Sequence, residues 1–441
     1  MAKEVPGVRW RNWSREQACS PWEIARPHTR EGLIRTIVDA TSAGRKVKVA
    51  GSGHSFSEAA LTDGTLLQIH LLDRILDVDP ASRLVKVEAG IVLADLNERL
   101  HARGLAMENL GDIDRQSLAG SISTATHGTG ARFRNLSAQV EEIELIGADG
   151  TLHVLSERNG SDAFRAARVG LGALGAIYSV TLRTIPAFRI DRTDRPRPLA
   201  ETLTALDELA AGLDHFEFYV FPHTDTALCR ESTRTDAPPE PESPAARYAR
   251  EIVVENWVGA GFAAVARHVP STAPRLARLA STGTGRSRKL DDSFRVFASE
   301  RRIRFTEQEY AIPRARAREA VERVLEVAAR PEFAVAFPIE VRFVAGDDAL
   351  LSPSHERDSC YIAVHHDRRG DWRGYFGAVA AVMGDYEGRP HWGKRHSLTV
   401  AELPKLYPRF DDFRRVRAEL DPEGSFGGPY ADRVLGTAEA R

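Results

Sequence analysis

Cysteine is scarce in this 441-residue chain: Cys19, Cys229 and Cys360 are the only three, far apart and in no C-x-x-C spacing. Neither a disulfide framework nor a zinc knuckle fits that pattern, and a reducing cytoplasm is the expected compartment. No sign of charge dominates either. Lys plus Arg total 60 against 62 Asp plus Glu, a formal net charge of -2, so the surface offers no broad field for a polyanion and no nucleic acid partner is expected. The short basic clusters Arg286, Arg288, Lys289 and Arg301, Arg302, Arg304 have no aromatic stacking platform beside them and read as solvated faces. No run approaches the roughly 20 apolar residues that span a bilayer. The N-terminal MAKEVPGVRWRNWS carries charges and Pro6 where a secretory signal needs an apolar stretch. Peripheral attachment to a membrane through a small surface patch stays open.

What the chain does have is apolar material, 42% of its residues, and at this length two domains are expected. From Arg30 to about Thr184, VKVAGSGHS, LLQIH, ILDVD, LVKVEAG, EEIELIGADG, LHVL and IYSVTLRTI show the period-two or continuous apolar pattern of strands. REGLIRTIVDATSAG and VLADLNERLHARG are helical and each stops at a glycine. The pattern is that of a glycine-punctuated α+β domain. Beyond Pro186 the helical stretches lengthen, and Pro196 and Pro198 mark a polar connection typical of a boundary. HFEFYVFP, FAVAFPIEVRFVA and SCYIAVHH read as strands, residues 245–267 and 314–330 and GDWRGYFGAVAAVMGDYEG as helices, and the proline- and acid-rich stretch 235–246 as an exposed loop.

Three motifs carry chemistry. VAGSGHS follows a strand, and Gly51 and Gly53 let the backbone turn tightly and approach a ligand, with exposed N–H groups able to cradle a phosphate. A simple strand-to-helix turn with His54 at the surface reads equally well. NLGDIDRQSLAGSISTATHGTG, residues 109–130, concentrates small residues and hydroxyls suited to lining a long polar cofactor, and GLGALGAIYSV, residues 170–180, adds a second glycine-rich segment. In PIEVRF, Glu340 and Arg342 are two apart on a strand, so both side chains share one face. An apolar strand that carries an acid and a base has either an internal salt bridge or a site. RPHWGKRH, residues 389–396, supplies His391 and Lys394, which a plain exposed turn would also explain.

In that order, GSGHS, LTDG at 61–64, VEAG at 87–90, the 109–130 block and GALGAI resemble the FAD-binding domain of the vanillyl-alcohol oxidase and p-cresol methylhydroxylase superfamily. Within it, the chain resembles the sugar-1,4-lactone oxidoreductases, meaning arabinonolactone and gulonolactone oxidases or dehydrogenases, from about Pro21 to Gly436. The resemblance implies an α+β fold with a p-cresol methylhydroxylase-type FAD domain over 18–186. An antiparallel-sheet substrate domain over 187–441 follows, its C-terminal segment returning to the flavin. It implies FAD held covalently through His54 and lined by Val49, Ala50, Gly51, Ser52, Gly53, Ser55, Gly111, Asp112, Ser117, Gly120, Thr124, Ala125, Thr126, His127, Ile177, His391 and Lys394. His127 reads as a structural histidine of that domain.

The same resemblance assigns the chemistry to Glu340, Arg342 and Lys394. Glu340 would accept hydrogen bonds from substrate hydroxyls, Arg342 would steady negative charge, and Lys394 would stand near the reacting hydroxyl. A lysine close to Arg342 should have its proton affinity lowered, which helps alkoxide formation. The implied reaction is hydride transfer from a hydroxyl-bearing carbon of a gulono- or arabinono-1,4-lactone to flavin N5, giving an ascorbate-type enediol. Electrons would pass to O2 or to a cytochrome- or quinone-like acceptor. Alditol oxidases have a serine after the position of Gly111, and histidine and threonine at the positions of Ala363 and His365; the departures at Asp112, Ala363 and His365 favour a lactone over xylitol or sorbitol. Gly111 stands where some family dehydrogenases carry an alanine that blocks oxygen, and access alone leaves the acceptor open. A non-catalytic flavin- or sugar-binding protein on the same fold is the remaining alternative.

Two decoys are set aside. GAGFAA, residues 259–264, matches a dinucleotide fingerprint but lies within a helical pattern and lacks the acid about twenty residues on. His365, His366 and Asp367 are consecutive on a strand and point to opposite faces, so no metal is expected there.

Overall fold

A computed structural model describes residues 9–159, 161–243, 259–283, 285–299 and 303–437. The first part follows its apolar spacing. Arg30–Ser42 is a helix that buries Leu33, Ile37 and Ala40 along one stripe, and the Thr29 side chain caps it by accepting from the Gly32 N–H. Leu93–His101 buries Leu93, Leu96 and Leu100 in the same way. A parallel sheet runs Glu23–Ala25, Thr65–Gln68, Val47–Ala50. An antiparallel sheet runs Leu152–Ser156, Val140–Ile146, Ala176–Arg183, Leu84–Glu88, Ile75–Asp79.

The second part is dominated by an eight-stranded antiparallel sheet. Its order is Ser287–Asp292, Arg189–Pro198, Thr226–Thr235, His215–Val220, Ile339–Val344, Ser359–Asp367, Phe305–Pro313, Arg389–Pro390. Alternation gives this sheet two unlike faces. Phe216, Phe218, Val341, Ile362 and Val364 point into a core shared with the helices Ala317–Ala328 and Arg373–Gly384. Glu217, Tyr219, Glu340, Arg342, His365, Glu307 and Glu309 occupy the other positions. That polar face turns to the first part, through Arg342 with Asp112 and His127 with Glu309.

The larger core joins residues such as Leu33, Leu96 and Ile143 to Trp392, Tyr407, Phe413, Phe426 and Leu435 near the C-terminus. The apolar side chains of the last stretch of chain therefore pack on the first part, while residues 389–395 stay bonded to the edge of the large sheet. Among the described residues, no helix is long and apolar enough to cross a membrane.

Several local expectations differ from the structure. Pro196 and Pro198 lie in the strand Arg189–Pro198 instead of a connection. Both are past Asp194, the last residue that Ser287–Asp292 pairs, so among the described residues no neighbour on that side needs an N–H from them. The basic cluster at 286–289 is largely an edge strand, with Arg288 ion-paired to Asp191 at 2.7 Å. Glu240 in the expected loop bridges to Leu290. Arg301, Arg302 and residues 244–258 fall outside the described residues. The segment bearing GAGFAA is the helix Gly259–His268.

Candidate active site

The GSGHS loop leaves the Val47–Ala50 strand and meets the start of the helix Leu118–Ser123. Ser117 caps that helix by accepting from the Gly120 N–H at 3.3 Å. A Cβ on Gly51 would stand 1.9 Å from Ser117 Oγ, so only glycine lets loop and helix approach this closely. Gly53 has φ +72°, left-handed backbone that suits glycine. Between them a cleft of about 1030 Å³ is lined by residues 49–55 together with Ser117, Gly120, Thr124 and Ile177. Gln116 also lines it, and its Oε1 is buried with no hydrogen-bond partner among the described residues. A glycine-shaped wall, a row of hydroxyls and an orphaned acceptor fit a long polar ligand of the FAD type.

His54 stands in this lining with its ring stacked on Trp13, centroids 5.4 Å apart. Burial, reinforced by the charges of Lys394 and Arg115, pushes its pKa down to about 4. The imidazole is therefore neutral at pH 7 with a lone pair available. The loop is fastened to the RPHWGKRH turn by the Phe56 N–H, which donates to the Gly393 carbonyl at 2.7 Å. Lys394 Nζ accordingly sits 5.4 Å from the Phe56 ring centroid.

The polar face of the large sheet closes this region. Arg342 is ion-paired with Glu340, with Glu217 at 2.9 Å and with Asp112 at 3.3 Å. Burial opposes its charge, but these carboxylates hold the guanidinium protonated. Tyr219 Oη lies 2.7 Å from Glu340 Oε1 and 3.0 Å from Glu217 Oε1. Burial raises the Glu340 pKa in spite of Arg342. His365 Nε2 is 3.6 Å from Glu307 and 4.0 Å from Glu340.

Lys394 corrects one expectation. Its partner is Glu307, in a hydrogen-bonded ion pair, and although burial alone would discharge the lysine, Glu307 and Glu309 raise its pKa. Lys394 is a held ammonium, not a lysine with lowered proton affinity. The remaining expected positions lie beside the cleft lining rather than in it. Asp112 reaches Arg342. A Cβ on Gly111 would be 3.1 Å from the His127 carbonyl oxygen. Ala125 has φ +56°, and Thr126 Oγ1 is buried without a hydrogen-bond partner among the described residues. His127 lies 3.2 Å from Glu309 through Nε2 and 2.8 Å from the Gly128 carbonyl through Nδ1. His391 packs on His127, and its Nδ1 accepts from the Gly393 N–H at 3.0 Å. The ligand atoms of His127, Glu309 and His391 lie within 4.8 Å of one another, and all three residues are buried.

Glu217, Tyr219, Glu307 and Glu309 did not emerge from the sequence. Their signal was the spacing that exposed Glu340 and Arg342: Glu217 and Tyr219 in HFEFYV, Glu307 and Glu309 in FTEQEY, each pair two apart on a strand.

A glycine-walled cleft facing a charged sheet is the architecture of an FAD-dependent oxidoreductase, and residues 21–156 match the FAD binding domain family. Residues 180–434 match the D-arabinono-1,4-lactone oxidase family, and the chain belongs to that family. It is 47% identical to L-gulono-1,4-lactone dehydrogenase of Mycobacterium tuberculosis, covering 97% of this chain and 99% of the relative. It is 34% identical to L-gulonolactone oxidase of Bos taurus, covering 99% and 100%. The structure of cholesterol oxidase from Brevibacterium sterolicum has the same fold, with a TM-score of 0.79 over 98% of this chain and 99% of that one at 16% identity.

Proposed function

We propose that this chain oxidises a sugar 1,4-lactone of the gulono or arabinono type at a hydroxyl-bearing carbon, giving an ascorbate-type enediol. Bound FAD supplies the hydride acceptor at N5. Residues 49–55, Ser117, Gly120, Thr124 and Ile177 would hold it, in a cofactor domain ending near residue 186. The observation that carries this reading is the bond from the Phe56 N–H to the Gly393 carbonyl, which holds Lys394 against the GSGHS loop while its ion pair with Glu307 joins it to the sheet face that carries Glu340.

Glu340 takes the hydroxyl proton. Its raised pKa makes it a stronger base than an exposed carboxylate once ionised. Arg342 and the Lys394 ammonium donate to substrate oxygens and stabilise charge that develops there. His54, neutral at working pH, is the residue to which the cofactor is tethered. Colour in the acid-precipitated pellet supports the tether, and a white pellet beside a yellow supernatant removes it. Electrons pass on to O2 or to a cytochrome- or quinone-like acceptor. Three free cysteines suit a reducing cytoplasm.

The substrate is tested by anaerobic mixing with a panel of lactones and polyols. Faster flavin bleaching by gulono- or arabinono-1,4-lactone than by xylitol is expected. Preference for xylitol would replace this reading with an alditol oxidase.

A further inference from the structure

A hydroxyl proton delivered to Glu340 needs a way out. The Glu340 side chain is only 6% exposed, and Lys394, already an ammonium paired with Glu307, has no room for another proton. On the other side, Tyr219 is the cross-strand partner of Glu340, and Glu217 lies two residues before it on the same face. The phenol has one hydrogen, yet its oxygen is within hydrogen-bond distance of both Glu340 Oε1 (2.7 Å) and Glu217 Oε1 (3.0 Å). It can donate to only one, so the second contact is complete only when a carboxyl carries a proton. Arg230 donates to Glu217 at 2.7 Å and to Tyr219 Oη at 3.2 Å, holding the three groups in line.

Glu217 also lines a cavity of about 370 Å³ with Asp112, Arg192, Arg230 and Ser232. The side chains of Asp112 and Arg230 are 21% and 20% exposed, so water reaches this side. Resting on the lactone-oxidation reading above, we propose that Tyr219 is a positioning residue that relays the substrate's hydroxyl proton from Glu340 to Glu217, which releases it to water in this cavity.

The transfer balances. Bound FAD would accept the substrate's C–H hydrogen as hydride, and as the carbonyl forms the O–H bond breaks and its proton bonds to Glu340. The Glu340 O–H bond then breaks as Tyr219 Oη gains that proton, while the original phenol O–H bond breaks and one forms on Glu217. No electron moves in the relay. Tyr219 holds its own proton firmly, since burial and the two carboxylates raise its pKa well above that of an exposed phenol. It therefore gives one proton only as it takes another. The charged and titratable groups facing Glu340 are Arg342, Asp112, Glu217, Tyr219 and His365.

The test uses the holoprotein in weak buffer with a pH-indicator dye, following flavin bleaching and proton release together under anaerobic conditions. In the wild type the two signals should coincide. In Tyr219→Phe, proton release should lag bleaching by about tenfold or more, with an increased solvent isotope effect. Glu217→Gln should show the same lag by another substitution. Coincident signals and an unchanged isotope effect in both variants would overturn the relay, even if both steps were slower. Bleaching of the wild type by a lactone tests the underlying reading separately: without it both fall, whereas coincident signals in the variants remove the relay alone.

Discussion

At Glu340 burial outweighs the pull of Arg342, and at Lys394 the combined pull of Glu307 and Glu309 outweighs burial. The acid thus holds its proton to higher pH than usual while the lysine stays charged. A base of this kind works only when ionised, so the flavin reduction rate should rise with pH and level off above the Glu340 pKa. Glu340→Gln should flatten that profile and slow reduction by about 100-fold, measured by anaerobic stopped flow. Lys394 has a structural consequence as well. Lys394→Ala leaves Glu307 buried opposite His365 without its lysine, which should cost roughly 3 kcal/mol in chemical denaturation. Adding Glu307→Gln should recover much of that loss, whereas an equal loss in the double variant would show that the pair is not coupled.

At the scale of elements, the large sheet explains which parts of the site were legible. Ile339–Val344 alternates so plainly that Glu340 and Arg342 could be assigned to one face from sequence, and the glycines of GSGHS announced a close approach. Phe305–Pro313 was missed because its polar residues suggest an exposed segment, whereas nearly all of it is buried. Its carboxylates are covered by His127, His365 and Lys394, residues distant in sequence whose approach no local pattern reveals. Pro196 and Pro198 read as a connection for the related reason that they end a polar strand whose outer neighbour stops at Asp194. The opposite face of the sheet is ordinary core. Phe218→Ala there should cost about 3–5 kcal/mol in denaturant unfolding while leaving the dependence of the reduction rate on pH unchanged.

Across the whole molecule, burial of histidines ties stability to pH. His215 is held to about 4, and His391 and His396 to about 3, in each case chiefly by burial. Unfolded, each would take a proton near its ordinary value of 6.5. The unfolded chain therefore binds more protons as pH falls, so the stabilisation is complete above 6.5 and is lost progressively toward 4 and below. Denaturation midpoints at pH 7 and pH 4.5 should show a clear loss at the lower pH, and equal midpoints would contradict the buried neutral state. The C-terminal stretch adds a long-range tie: Lys48 donates to the Phe426 carbonyl at 2.8 Å, and the Val47 N–H donates to the Ser425 carbonyl at 2.9 Å. These bonds lock the strand leading into GSGHS. That return of the chain came from family resemblance, since nothing local in the sequence encodes a contact between residues so far apart.

The most direct measurement is the visible spectrum of the purified yellow protein under argon as L-gulono-1,4-lactone is added. The flavin absorbance should bleach in the wild type and do so far more slowly in Arg342→Ala. A spectrum unchanged by gulono- and arabinono-1,4-lactones in a fully flavin-loaded wild-type protein would contradict the assignment of this cleft and sheet face to lactone oxidation.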